Sequence, residues 1–510
     1  LLGRTKTCAV VGLDGIVVDV EVDISPGLPS FAIVGLPDAA VQESRDRVRA
    51  AIRNSGAEFP MRRITAGLAP ADVRKTGPSY DLPIAIAILI STGQIPDRVA
   101  GALLLGELAL DGTLRPTKGI LPMVSVGKVD GFRDVFVPTP NAAEAALIDG
   151  VSVFPVDSLG QIVAHIRGEL PIVPYRLNSN GSSPQAGRDL ERLPDFADVR
   201  GQEHAKRAIQ IAAAGGHNLL MVGPPGSGKT LLARCLPSIL PPMTPEEALE
   251  VTKIYSVAGL LPEGSPLITR RPFRAPHYTI SHAGLVGGGA LPRPGEITLS
   301  HRGVLFLDEL PEFGHSVLEV LRQPIEDRVV TISRAHGSIS YPANTMLVAA
   351  MNPCQCGFHG DSRRACECPP GAVMRYQRRI SGPMLDRIDI FVDVPRVDYD
   401  KLELPPDGEG SATVRARVES ARRFQLRRFA GTRLNSNSEM GPREVWSYCQ
   451  VEGQTTRGLL RQAMNQLSFS ARAYHRVLKV ARTIADLDDS ARIEASHLGE
   501  ALQSRPRPVW

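Results

Sequence analysis

The sequence predicts an α/β protein in three parts: a mixed α/β domain, a second α/β domain on a buried parallel sheet, and a helical C-terminal domain. Three observations carry this reading. The first is length: 510 residues, at roughly 150 per domain, give about three domains. The second is the polar stretch Asn178-Ser-Asn-Gly-Ser-Ser-Pro-Gln-Ala-Gly187, which has the composition of a flexible linker. The third is a change of hydrophobic pattern, from short apolar runs to helical spacing beyond Pro395. The expected domains are therefore 1–175, a linker at 176–192, 193–396, and 397–510.

In the first domain, Gly15 to Ser25 alternates cleanly. Val18, Val20, Val22 and Ile24 share one face, and Asp19, Glu21 and Asp23 the other, as in a half-buried strand. Pro37-Asp38 opens a helix to about Asn54, which Ser55-Gly56 ends. Further strands are expected at Leu103–Leu105 and Val135–Val137. In the second domain, Asn218–Val222 and Val304–Leu307 are short continuous apolar runs of the kind that parallel sheets bury. After an irregular acidic stretch from Asp398 to Gly410, the pattern is helical to the end. Val414, Val418, Ala421 and Leu426 suggest one apolar helix face there, and the seven arginines between Arg415 and Arg433 suggest its solvated side.

Composition narrows the function classes. The longest apolar run, Leu82 to Ile90, is nine residues against the ~20 that a membrane span needs. No charged-then-apolar leader opens the chain, so a soluble cytoplasmic protein with no membrane partner is expected. The net charge of +4 points to no partner. Only nine of the 58 basic residues are Lys, so arginine clusters carry less weight than usual.

Gly223-Pro224-Pro225-Gly226-Ser227-Gly228-Lys229-Thr230 fits G-x-x-x-x-G-K-[ST], after an apolar strand and before the helical Leu231–Leu236. In that setting backbone N–H groups close around phosphates, Lys229 reaches the outer ones, and the Thr230 hydroxyl binds Mg²⁺. Val304-Leu-Phe-Leu-Asp308-Glu309 delivers two carboxylates at a strand end. Asp308 is expected to hold Mg²⁺ through water, and Glu309 to orient or deprotonate the attacking water. A third strand, Met346–Met351, ends at Asn352, whose amide is expected to position that water.

With these segments, Leu385-Asp-Arg387-Ile-Asp389 resembles an AAA+ ATPase of the magnesium-chelatase-like branch. Phe273-Arg-Ala-Pro-His277-Tyr-Thr-Ile-Ser, Leu285-Val-Gly-Gly-Gly289, Pro292-Arg-Pro-Gly-Glu296, Ala69-Pro-Ala-Asp72 and Ser470-Ala-Arg472-Ala-Tyr are similar to the YifB/ComM family in particular. The resemblance implies a Lon-protease-like N-terminal domain of the ribosomal-protein superfamily, an AAA+ P-loop core and a helical lid. It implies ATP and Mg²⁺ as cofactors and a ring, expected to be a hexamer. Arg387 then resembles the arginine finger that a neighbour supplies, and Arg472 the second sensor. The implied activity is ATP-driven movement on DNA, with helicase or branch-migration work in recombination or natural transformation. A chelatase-type protein remodeller acting with partner subunits is the alternative.

On the same grounds, two segments are expected to face single-stranded or branched DNA. One is the insert from Ala258 to Gly295, with Arg274 and His277. The other is a hairpin, Val329–Ser333 and Ser338–Tyr341, with Arg334 and His336 in its turn. Packing inserts with solvated charges are the plainer reading. Cys354, Cys356, Cys366 and Cys368 fall within 15 residues and can hold a structural Zn²⁺, against four reduced or partly disulfide-bonded cysteines. In the first domain Gly77-Pro78-Ser79 matches the segment of Lon's nucleophilic serine. The position of Lon's lysine base falls at Leu121, however, with Lys118 three residues out of register, so peptidase activity is not expected.

Overall fold

The computed structural model describes the chain apart from residues 1, 78, 177–192, 263, 290–291, 335–336, 362, 398–407, 467–469 and 506–510. All but one residue of the expected linker therefore lie outside the described residues, as does most of the acidic stretch. Contacts divide the chain into two units: Leu1–Leu190 with Ala248–Ile268, and Glu191–Glu247 with Thr269–Trp510.

In the first unit, β1 (Gly3–Val11) and β2 (Asp14–Ser25) pair antiparallel. The β2 alternation works as the sequence expects, with Val18, Val20 and Val22 fully buried. Then come β3 (Ser30–Val34), α1 (Ala39–Asn54), β4 (Arg63–Ala69) and α2 (Asp81–Ser91). The Asp38 carboxylate caps α1 by accepting from Val41 N–H at 2.8 Å. A strand β5 (Ala102–Leu104) precedes the two-residue strands β6 (Glu107–Leu108) and β7 (Leu114–Arg115). Next are α3 (Ile120–Val129), β8 (Asp134–Pro138), α4 (Ala142–Ala145), β9 (Ser152–Val156) and α5 (Leu159–Arg167). The mixed sheet has the order β3-β4-β2-β1-β5-β8-β9. The long apolar run at Leu82–Ile90 is α2, buried on every side beneath that sheet's core.

Two buried carboxylates organise this unit. Asp81, fully buried, takes the Arg47 guanidinium at 2.6 and 3.1 Å and so ties α1 to α2. Glu144, also buried, accepts from Leu121 N–H at 3.0 Å and from the Ser256 hydroxyl. Ser256 lies on the helix α8 (Pro245–Ala258), and its carbonyl accepts from Gly119 N–H at 3.1 Å. These bonds give residues 248–268 to the first unit, although the sequence reading places them in the second domain.

The second unit contains α6 (Glu203–Gly215), β10 (Leu219–Val222) and α7 (Lys229–Ile239). Strands β11 (Phe273–Arg274), β14 (Val304–Leu307), β17 (Met346–Met351) and β18 (Ile390–Asp393) join β10 in one sheet. Between them come two short antiparallel pairs, β12 (Gly287–Gly288) with β13 (Arg293–Pro294), and β15 (Val329–Arg334) with β16 (Gly337–Pro342). The five-stranded sheet has the order β11-β14-β17-β10-β18 and every pairing in it is parallel.

The C-terminal helices share one apolar core with this sheet. The helix Ser411–Arg428 buries Val414, Val418, Ala421 and Gln425, a stripe at steps of four, three and four. Leu426, expected on that face, is instead exposed, because it sits one residue, about 100° of helix, past Gln425. Gln425 takes its place by donating to Ala214 O at 3.0 Å and accepting from Asn437 N–H at 3.0 Å. Among the described residues no helix is long and apolar enough to cross a membrane.

Arg47→Ala is expected to destabilise the first unit by about 3 kcal/mol, because it strands the buried Asp81 carboxylate. Burial raises the Asp81 carboxyl above its usual range and Arg47 opposes this. The Asp81 carboxyl therefore contributes most when protonated and less as pH rises; without Arg47 its charged form is costlier still, so the variant's deficit is largest at neutral pH and shrinks on acidification. Hydrogen exchange of α1 and α2 at two pH values checks both size and sign.

Candidate functional site

Strand β10 lies between β17 and β18, which leave it on opposite sides. In an open parallel sheet, such a switch point opens a crevice beyond the carboxyl ends of the strands. Residues Gly223–Thr230 fill that crevice mouth. Gly223 has no room for a side chain: a Cβ there would lie 2.0 Å from Val394 O. Gly226 and Gly228 have φ of +74° and +92°, left-handed backbone that only glycine adopts freely and that leads the chain into the start of α7.

Lys229 is the first residue of α7 and is 8% exposed. Its ammonium donates to Gly223 O at 2.7 Å, Pro224 O at 2.9 Å and Asn352 Oδ1 at 3.2 Å. Burial pulls it down to about 8, with Asp308 and Glu309 opposing the shift. The Thr230 hydroxyl donates to Asp308 Oδ2 at 2.7 Å. Two hard oxygen donors this close, with a loop of N–H groups beside them, suit Mg²⁺ carried in with phosphate. Glu309, exposed at the end of β14, has φ +53°. A non-glycine residue there costs roughly 1–3 kcal/mol and persists only where the surroundings impose it. The structure thus brings Lys229, Thr230, Asp308, Glu309 and Asn352 to one sheet edge.

Arg387 and Arg472 are not at that edge. Arg387 lies just before β18, and its carbonyl accepts from Asn218 Nδ2 at 2.9 Å, at the opposite end of β10. Four residues of strand separate the two ends by about 10 Å. The Arg387 guanidinium donates to Arg322 O at 2.9 Å, to Pro383 O at 2.7 Å and to the Glu326 carboxylate. Arg472, exposed, stands 3.8 Å from the same Glu326. A cavity of about 490 Å³ there is lined by Arg387, Arg472, Arg476, Lys479, Glu326 and Asp389, among others. Buried Asp389 accepts from Asn218 N–H at 3.0 Å and lies 3.5 Å from Arg476. Burial pushes its carboxyl up, but His217, Arg476 and Lys479 outweigh that and hold it at about 2. The sequence reading names Arg387 and Arg472 but misses Glu326, which no motif marks.

Beyond Asn352, the sulfurs of Cys354, Cys356, Cys366 and Cys368 all lie within 4.8 Å of one another. Three Sγ–Sγ separations are 3.3, 3.7 and 3.6 Å, against ~3.8 Å for thiolates in a tetrahedron with Zn–S near 2.3 Å. His359 N–H donates to Cys354 Sγ at 3.3 Å, and Cys368 N–H to Cys366 Sγ at 3.4 Å. N–H groups of Phe358 and Glu367 pull the Cys356 thiol down to about 6. The donor set and its spacing fit Zn²⁺; the His359 ring is exposed and takes no part.

Arg274 forms a two-bond pair with Glu296 at 2.6 and 2.7 Å. His277 is exposed, bonds Thr279 Oγ1 at 2.8 Å and lies against Tyr278 with ring centroids 4.2 Å apart. Arg334 ends β15, and His336 lies outside the described residues. In the first unit Ser79 is buried and Leu121 is fully buried in α3. Lys75, four residues before Ser79, is buried with its ammonium on Pro70 O.

A polyphosphate ligand at Gly223–Thr230 would raise Lys229 back from about 8. Binding is therefore expected to take up protons near and above that pH, and to weaken as pH rises through it. Calorimetry in two buffers of different ionisation enthalpy reads the uptake directly.

Comparison with known proteins agrees with this geometry. The family described as "Magnesium chelatase, subunit ChlI" matches residues 195–402, "Subunit ChlI of Mg-chelatase" 20–141, and "Magnesium chelatase, subunit ChlI C-terminal" 408–505. An uncharacterised protein of Mycobacterium tuberculosis is 44% identical over 99% of this chain and 98% of its own. The protein YifB of Salmonella typhimurium is 43% identical over 99% of this chain and 97% of its own. The competence protein ComM of Haemophilus influenzae is 42% identical over 98% of this chain and 96% of its own. A phosphate loop at the switch point of a parallel sheet, with full-length likeness of this degree, leaves one assignment: the chain belongs to the YifB/ComM family of magnesium-chelatase-like AAA+ ATPases.

Proposed function

We propose that this chain is one subunit of a ring-forming ATPase that couples ATP hydrolysis to translocation on DNA. The observation that carries the ring is the place of Arg387. It stands at the sheet edge remote from Lys229 of its own chain, bonded to Asn218 through its carbonyl. That distance from its own phosphate loop favours a role for the guanidinium on the phosphates of a neighbour. Arg472 shares its cavity and is proposed to act on the same neighbouring site.

In the proposed cycle, Lys229 and the N–H groups of 223–230 hold the outer phosphates, and Glu309 orients and deprotonates the attacking water. Asn352, already bonded to Lys229, positions that water from the adjacent strand. Mg²⁺ held by Thr230 and Asp308 would neutralise charge on the phosphate oxygens. Arg387 of the neighbour stabilises the transferring group, a contribution of about 10³–10⁵ in such enzymes. The four cysteines are the proposed ligands of a structural Zn²⁺.

Movement on DNA rests on two supports. One is the likeness to a protein named for competence. The other is the exposed His277-Tyr278 pair, which offers a stacking surface; Arg274 in the same segment is paired with Glu296. A chelatase-type remodeller remains the second reading, because the matching family descriptions are those of a chelatase subunit.

ATPase turnover with no DNA, single-stranded DNA and a three-strand junction separates the two. DNA is expected to stimulate hydrolysis. Glu309→Gln should bind ATP yet hydrolyse it ~10²–10⁴-fold more slowly and lose the stimulation. Turnover indifferent to every DNA, but raised by a protein partner, would favour the remodeller.

A further inference from the structure

The loop from Pro353 to Pro369 does more than follow Asn352. It has almost no apolar interior of its own: among its described residues only Cys354 and Gly357 are buried. Yet it touches three parts of the nucleotide crevice. Cys354 is two residues from Asn352, whose Oδ1 accepts from Lys229. Gly357, at φ +87°, abuts the phosphate loop, and a Cβ on it would fall 2.5 Å from Pro225 Cδ and 2.7 Å from Cγ. Phe358 is flanked by Arg364 at 4.2 Å and Arg396 at 5.2 Å, and Arg396 follows the end of β18.

We propose that the four-cysteine cluster is a zinc-dependent, oxidant-sensitive lock on the ATP site, acting through the Gly357–Pro225 contact and the Cys354–Asn352 link. This deepens, and rests on, the zinc reading above. With the metal bound, four thiolates hold the loop rigid, so Pro225 and Asn352 are braced in the geometry that Lys229 requires. A peroxide can undo this. Two thiolates give up one electron each and join as a disulfide, while the peroxide takes both electrons and two protons to become two waters. Zn²⁺ then leaves the two thiolates that remain. Cysteine pairs at 3.3 to 3.7 Å are close enough to bond after small shifts. The other three cysteines, Cys8, Cys235 and Cys449, are at most 2% exposed, so oxidation is directed to the cluster.

The test uses the full chain and three readings: zinc per chain, binding of a fluorescent ATP analogue, and ATP turnover. The purified protein should carry one zinc. Hydrogen peroxide should release it, weaken analogue binding and slow turnover by about 10²-fold, the scale of a 1 Å misplacement. Thiol reductant with added zinc should restore all three. Gly357→Ala should keep its zinc yet weaken the analogue, because its methyl strikes Pro225. Gly360→Ala carries a similar backbone penalty, at φ +78°, but has nothing within 4 Å of its Cβ and should bind normally. Zinc release with unchanged nucleotide binding overturns the lock while leaving the zinc site standing. Equal effects of the two glycine variants overturn the Pro225 contact as its route. A chain that neither carries nor takes up zinc overturns the zinc reading and the lock with it.

Discussion

All five strands of the second unit's sheet run the same way, and that polarity decides where each kind of chemistry can stand. A parallel strand has an amino end and a carboxyl end that cannot exchange roles. At the carboxyl end the chain leaves β10 into a glycine-bent loop and a helix start, whose free N–H groups favour anions. Asp308, Glu309 and Asn352 arrive there because β14 and β17 run alongside β10. At the amino end β18 is entered through Arg387, and Asp389 gathers His217, Arg476 and Lys479 around one buried carboxylate. The two edges are about 10 Å apart at least. On the proposed reading, one chain carries half of two sites, and the ring follows from this division.

Within the chain, the Arg387 guanidinium already has a carboxylate partner. Glu326 binds Arg387 and stands near Arg472. In the proposed ring a phosphate would have to compete with that carboxylate for the guanidinium. Half-exposed Glu326 holds Arg387 less firmly than a buried carboxylate would.

Much of this was legible in the sequence because short apolar runs in parallel sheets leave few alternatives. Asn218–Val222, Val304–Leu307 and Met346–Met351 fall on β10, β14 and β17 within a residue. The alternation of β2 was equally plain, since one of its faces is wet. Other elements carried no such signal. Strand β1 mixes polar and apolar side chains on both faces, with Thr5 and Thr7 buried. The run at Leu82–Ile90 has no periodicity, because α2 is buried all round. Leu426 was misplaced because Gln425 satisfies its amide inside the core through Ala214 and Asn437, which pattern alone cannot anticipate. The site was legible to the extent that backbone geometry demands particular residues, as at Gly223 and Gly228. Long-range pairings were not: Arg274 with Glu296, Glu326 with Arg387, and Gly357 against Pro225 join residues that no spacing relates. Residues 248–268 belong to the first unit for the same reason, since Ser256 meets Glu144 across 112 positions.

The central claim is that each ATP site is built from two chains, and mixing inactive variants tests it most directly. Lys229→Ala spoils the phosphate loop and leaves Arg387 intact; Arg387→Ala does the converse. Each alone is expected to hydrolyse almost no ATP. In a randomly mixed ring about a quarter of the sites pair an intact loop with an intact arginine, so the mixture should recover turnover that neither parent has. A mixture that assembles yet stays as inactive as its parents would contradict the account.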